Sequence, residues 1–250
     1  MEGIFRTDTG KLRPHNEDSG AVKENNFGQL LAIVADGMGG HQAGDVASQM
    51  ARDSMLAHWE QMTEFLSPVH AEKWLQETVS KVNETIYMHA LDNPKCEGMG
   101  TTLVAAVCSN EFVTFSNVGD SRVYIFEDDL LKQMTEDHSL VGELVRSGQL
   151  SQEEADHHPR KNVLMRALGT DRTIEVDVAT VNWKHTSLLL LCTDGLTNML
   201  TDNDIMAHLS QETDLSTICD NLITEANNSG GEDNISISLV RHNEKDVTIS

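Results

Sequence analysis

The chain has 250 residues, with 40 acidic against 18 basic side chains and a formal net charge of −22. That balance argues against nucleic acid and anionic lipid as partners, since both bind through basic patches. No apolar run approaches the roughly 18 residues of a spanning helix, no secretory signal opens the chain, no Pro- or Ser-rich linker divides it and no segment repeats, so one domain over residues 1–250, in the cytoplasm and off the membrane, is expected.

Near the N-terminus, "RPHNED" sets Arg13 just ahead of Glu17 and Asp18. A guanidinium grips a phosphoryl group through two parallel hydrogen bonds and stays charged at any working pH, so Arg13 is a candidate phosphate clamp; a surface salt bridge is the plainer alternative. "LLAIVADG" predicts a buried strand running into Asp36-Gly37, and an Asp-Gly pair alone signals no more than a tight turn. Helical period follows twice. From Asp45 to Met62, the residues Ala47, Met50, Ala51, Met55, Trp59 and Met62 recur at steps of three and four. From Ser67 to Leu91, Leu75, Val79, Val82, Ile86 and Ala90 do the same, with Ser67-Pro68 as N-cap and first turn.

Strands return in "TTLVAAVCS" and "FVTFSNVGDSRVYIF", the second carrying Asp120. Short helices are expected near Ser139 to His157. There the polar segment Glu143 to Asn162 holds a capping-box pattern at Ser151 to Glu154 and reads as a surface lid. "SLLLLCTDG" is a further strand and ends on Asp194, helices are expected over 202–211 and 215–227, and "NISISLVRH" is a strand preceded by Asp233. Cys96, Cys108, Cys192 and Cys219 lie far apart and read as buried, reduced, inert thiols. Helix pairs alternating with antiparallel strand groups predict an α+β fold, two packed antiparallel sheets with helices outside.

Asp36, Asp120, Asp194 and Asp233 share one feature, a place at a strand end beside Gly or in a Gly-rich turn. If these turns converge at one edge of the sheets, like charges so close need cations between them. Carboxylates and carbonyls, with no His or Cys pairs nearby, suit a hard ion such as Mg²⁺ or Mn²⁺ better than Zn²⁺. The Gly37 carbonyl could also approach such an ion, having no side chain in the way. Bound cations would further explain how so acidic a chain could accept a phosphate ester.

Taken in order, "RPHNED", "VADGMGG", "GMGTT", "NVGDSR", "TEDHS", "CTDGL" and "GGEDNIS" resemble the motifs of the metal-dependent protein phosphatases of type 2C, especially their compact bacterial members. The resemblance covers Gly3 to Val240. It implies a four-layer α-β-β-α sandwich, two central antiparallel sheets flanked by helix pairs, with Mn²⁺ or Mg²⁺ at one edge. Position by position it implies that Asp36 bridges two metals, that the Gly37 carbonyl binds the second, and that Asp194 and Asp233 hold the first. Asp18, with Glu17 beside it, would act through water, Asp120 would bind a third, weaker ion together with Asp194, and Arg13 would clamp the substrate phosphate. The implied reaction is hydrolysis of phosphoserine and phosphothreonine in proteins by water activated between the two metals, opposing a Ser/Thr kinase.

One position departs from many members of the family. Met38 stands where they carry a His proposed as general acid, and a thioether cannot donate that proton. Either His41, three residues on, or a metal-bound water takes the role, with the water preferred. Two other functions are weighed: a non-catalytic, metal-stabilised phosphoprotein-binding module, disfavoured by the intact aspartates, and a metallohydrolase acting on nucleic acid or small phosphate esters, disfavoured for nucleic acid by the charge. The lid over 143–162 is expected to influence substrate choice, and the protein is expected to be a monomer.

Overall fold

The computed structural model describes residues 1–39, 43–151, 154–155, 158–184 and 187–242. In chain order the elements are β1 (Glu2–Asp8), β2 (Asp18–Glu24), β3 (Leu30–Met38), α1 (Ala43–Glu60), α2 (Pro68–Asp92), β4 (Gly100–Thr101), β5 (Leu103–Cys108), β6 (Phe112–Val118), β7 (Arg122–Glu127) and β8 (Leu130–Gln133). They continue with α3 (Leu140–Arg146), β9 (Asp177–Asn182), β10 (Leu188–Cys192), α4 (Asp194–Thr197), α5 (Asp202–Leu209), α6 (Leu215–Asn228) and β11 (Ile235–Arg241). One sheet runs β1-β11-β10-β7-β8 and the other β2-β3-β5-β6-β9, with β4 paired to β3; every pairing is antiparallel.

Why β3 is apolar on both faces follows from where its neighbours lie. Side chains alternate across a strand. Leu31, Ile33 and Ala35 join a core with Ala47, Met55 and Trp59 of α1 and Leu75, Val79 and Ile86 of α2. Leu30, Ala32 and Val34 join another with Val123, Leu189 and Leu191 of the opposite sheet. A third core packs Leu190, Cys192, Ile237 and Leu239 against Ile205, Ile218 and Leu222 of α5 and α6. The layers are therefore helix, sheet, sheet, helix, as the motifs implied.

Both long helices lie where their periodicity placed them. Ser67 caps α2, its side chain accepting from the His70 main-chain N–H, and Pro68 occupies the first turn. Trp59 is buried at the end of α1, its indole N–H donating to the Lys23 carbonyl at 3.0 Å and its ring edge-on to Trp74 at 5.3 Å between centroids. Aromatic pairs in that geometry add about 0.5–1.5 kcal/mol beyond their buried area.

Three expectations are corrected. "FVTFSNVGDSRVYIF" is not one strand but β6 and β7, which lie in different sheets; the chain crosses between them at Gly119, whose φ of +113° breaks the extended run. β1 and β2 are strands that the sequence reading passed over. Cys96 is only half-buried, in a short 3-10 turn at Pro94–Cys96, whereas Cys108, Cys192 and Cys219 are buried as expected.

Candidate active site

The two-residue period that buries β3 also aims its last polar side chain. Asp36 continues the row Leu30, Ala32, Val34 that faces the other sheet, and it emerges where that row runs out at the sandwich edge. Directly opposite in the β2–β3 register stands Asp18. From the second sheet, β10 ends at Cys192 so that Asp194 opens α4, while Asp233 lies two residues ahead of β11, which pairs with β10. Asp120 sits in the crossover from β6 to β7. A strand start, a strand end, a helix start and two connections thus bring five carboxylates to a single edge.

Their electrostatics record that proximity. Burial, then the charges of Asp18, Asp194, Asp120 and Asp233, push Asp36 well above the carboxylate range. Asp18 is pushed up to about 7, chiefly by burial and against hydrogen bonds from Ser236 and Thr193. Asp120 is pushed up to about 8 by burial and by Asp194 and Asp137. Asp194 is raised by burial and by Asp233, although hydrogen bonds with Asp36 and Asn198 oppose the shift. All four shifts run upwards because ionising every member would leave several like charges together away from water.

Among the described residues, no group of three or more His, Cys, Asp or Glu side chains is placed closely enough to hold a metal ion as it stands. The donors nonetheless fit a hard divalent cation. They are all oxygen and anionic, and two of them, Asp18 Oδ1 and Asp194 Oδ1, are buried without a hydrogen-bond partner. An acceptor left so costs about 1–3 kcal/mol. A cation supplies the missing partner and removes the mutual repulsion in the same step.

Arg13 reaches the same edge, its Nη2 2.6 Å from Asp233 Oδ2. Both the plainer reading of Arg13 and its place beside the cluster are therefore met by one contact. Glu17 lies next to Asp18 and has its carboxyl raised by burial, with Arg13 pulling the other way.

The frame that holds these groups contains residues that sequence reasoning missed. Asn234, almost fully buried, donates from Nδ2 to the carbonyls of Thr9 and His15 at 2.8 and 2.9 Å, and its Oδ1 accepts the Glu17 N–H at 2.8 Å. It thereby ties the Arg13 segment to the start of β11. Thr193 donates to Asp18 Oδ2 at 3.0 Å, and Asn198 donates to Asp194 Oδ2 at 2.9 Å. Thr102 Oγ1 accepts the Asp36 N–H at 2.9 Å, and the Thr101 hydroxyl donates to the Asp36 carbonyl at 2.8 Å. Only the "DN" and "CT" steps inside quoted motifs could have drawn attention to Asn234 and Thr193.

Gly37 is required by space. A Cβ there would lie 2.1 Å from the Gly44 carbonyl oxygen and 2.5 Å from that of Glu17. Gly37→Ala is therefore expected to cost at least about 3 kcal/mol through backbone overpacking, read as a large drop in melting temperature; a melting temperature close to wild type would contradict that fit. Met38, paired with Gly100 across β3 and β4, turns its terminal methyl towards that glycine, a packing role. His41 lies outside the described residues.

The stem of the expected lid is held from both sides: the Leu140 N–H donates to the Val163 carbonyl at 2.8 Å and the Met165 N–H to that of His138 at 2.7 Å. The capping box between Ser151 and Glu154 is formed, and most described residues from Glu143 to Asn162 are exposed or half-buried, Ala155 excepted. Residues 152, 153, 156 and 157 of that segment lie outside the described ones.

Comparison with known proteins matches residues 13–226 to the protein phosphatase 2C family. The serine/threonine phosphatase Stp of Listeria innocua is 49% identical over 243 residues, spanning 97% of this chain and 96% of that relative. The structure of the serine/threonine phosphatase Stp1 from Staphylococcus aureus superposes with a TM-score of 0.91 at 37% identity, covering 95% of this chain and 93% of that one. The catalytic domain of the serine/threonine phosphatase PstP, solved in complex with two manganese ions, superposes with a TM-score of 0.83 at 31% identity, covering 95% and 96%.

Proposed function

The chain belongs to the protein phosphatase 2C family, and on that premise we propose that it is a divalent-metal-dependent serine/threonine protein phosphatase acting on phosphorylated proteins. The observation that carries this reading is the half-buried cluster of Asp18, Asp36 and Asp194, with two buried, unpartnered acceptor oxygens at the edge where Arg13 arrives. Asp36 and the Gly37 carbonyl, with Asp194 and Asp233, are the residues that would hold two core ions; Asp18 would act through water, and Asp120 with Asp194 would hold a third, weaker ion. Mn²⁺ and Mg²⁺ both suit these donors. When bound, such ions supply Lewis acidity that activates water for in-line attack and charge that offsets the transition state.

The remaining steps belong to the protein. Arg13 pairs through Nη2 with Asp233 at the edge of the cluster, and its other guanidinium N–H groups are the donors that can bind a phosphoryl group. Thr193 and Asn198, by donating to Asp18 and Asp194, keep those carboxylates oriented. With Met38 unable to donate, the leaving serine or threonine oxygen takes its proton from water, His41 being the alternative. Among the described residues no helix is long and apolar enough to cross a membrane. We take the protein to be a cytoplasmic monomer that opposes a Ser/Thr kinase, the kinase's own phosphorylation included, with the 143–162 lid biasing substrate choice.

Phosphate release from a phosphothreonine peptide, with Mn²⁺, with Mg²⁺ and with EDTA, tests the reading. Wild type is expected to turn over with either metal and to stop in EDTA. Arg13→Ala is expected to lose about 10–100-fold in kcat/KM, mostly as a higher KM, the worth of charged hydrogen bonds to one phosphoryl group. A wild type that binds metal yet releases no phosphate from any phosphopeptide would favour the binding module instead.

A further inference from the structure

We propose that His138 is a positioning residue for the weaker metal site: it fixes the turn at Gly119 and so sets where Asp120 presents its carboxylate. The inference rests on the assignment of Asp120 as a metal ligand made above.

A single side chain and its own backbone engage both polar groups of Gly119. The His138 main-chain N–H donates to the Gly119 carbonyl at 2.9 Å, and ring Nδ1 accepts the Gly119 N–H at 3.2 Å. Gly119 needs that support, with φ at +113° and with Thr102 Cγ2 only 2.6 Å from where a Cβ would be. The ring can accept at Nδ1 only if its proton sits on Nε2. On the far side Nε2 lies 3.1 Å from Asp177 Oδ2, which accepts its proton in that tautomer, while Arg166 Nη1 stands at a longer 3.4 Å from the same nitrogen and donates to Asp177 Oδ1 at 2.8 Å. His138 is buried and cannot turn to water for either bond.

Asp120 depends on this clamp because its own carboxylate is lightly held. Among the described residues no other side chain donates a hydrogen bond to the Asp120 carboxylate, so backbone placement decides where its oxygens lie. On the other flank, Ser121 Oγ meets Thr102 Oγ1 at 2.7 Å, the same atom that accepts the Asp36 N–H. The turn is thus pinned to the main cluster at Ser121 and to His138 at Gly119, with Asp120 between the pins. His138 also accepts the Met165 N–H from the lid stem, which links that stem to the same turn.

An Mn²⁺ titration of the full-length chain, followed by the spin resonance of the free ion, separates this role from plain packing. Wild type is expected to bind two ions tightly and one weakly, and Asp120→Asn to lose the weak one. His138→Gln, which places its amide near Nε2 and leaves the Gly119 N–H without its ring acceptor, is expected to weaken the weak site by about 10–100-fold while the tight sites stay put. His138→Asn, whose Oδ1 takes the place of Nδ1, is expected to keep it near wild type. Equal losses in the Asn and Gln variants, or tight and weak sites failing together, would overturn the positioning role. If Asp120→Asn leaves the weak site intact, the ligand assignment itself fails, whatever His138 does. Should His138→Gln not fold, Asp177→Ala, which frees the tautomer but spares the Gly119 contacts, is expected to weaken the site partially, and an unchanged site there overturns the proposal.

Discussion

Asp36→Asn is expected to lower metal-dependent phosphopeptide hydrolysis by at least about 10³-fold, the scale of several kcal/mol of lost cation-borne stabilisation, and to make the metal-stripped protein more stable. Both effects come from one side chain. The carboxyl of Asp36 is half-buried and faces Asp18, Asp194, Asp120 and Asp233, so without a cation either its charge or the cost of holding it neutral opposes folding. An amide of the same shape carries no charge and can still donate towards Asp194. Relief of about a few kcal/mol would raise the melting temperature in EDTA by roughly 5–10 °C for a chain of this size. With saturating Mn²⁺ the order should reverse, because wild type gains stability from binding and the variant does not. Melting curves in EDTA and in Mn²⁺, beside phosphate release, check both halves. A variant that keeps wild-type activity would remove Asp36 from the reaction; one that is inactive but no more stable in EDTA would mean the cluster is not strained.

The same residues mark how far a sequence can be read. Asp36, Asp120, Asp194 and Asp233 were legible because each ends or borders a strand beside glycine, and four such turns point to one edge once two sheets are assumed. Both long helices were legible because α1 and α2 each bury one face against β3 and its neighbours, which writes a period into the sequence. β1 was not, because its residues are mostly half-exposed or exposed and carry no clean alternation. The break between β6 and β7 hid inside an apolar run, since it depends on a backbone angle at Gly119 and on pairing to different sheets. Asn234 and Thr193 carried no signal beyond their place inside quoted motifs. They act through bonds to Thr9, His15, Glu17 and Asp18, far away in the chain, and only the pairing of β11 with β1 and β10 brings them together.

Stability of the metal-stripped protein should fall as pH rises from about 5 to about 8.5, by roughly 10 °C in melting temperature, and Mn²⁺ or Mg²⁺ should abolish the fall. The sign follows from where the protons sit. Asp18 is raised to about 7 and Asp120 to about 8, each mainly by burial, with Asp36 and Asp194 raised as well. An acid raised in the folded state holds its proton there after the unfolded chain has released it. Unfolding therefore becomes easier as pH climbs from the ordinary carboxylate range through the folded values, and the penalty is complete above about 8. His138 works in the other direction: burial lowers its pKa, so its contribution grows as pH rises through the usual histidine range, but it is one group against four. Cations replace those protons and bind better as pH rises, so the gap between the metal and EDTA curves should be small near pH 5 and widest near pH 8.5. Because the acidic surface could also tilt the EDTA curve, Asp36→Asn is the control, and it should flatten the slope. A slope that is flat or rising in wild type, or that is unchanged in the variant, would place the titrating groups elsewhere and take away the electrostatic basis for a metal site at this edge.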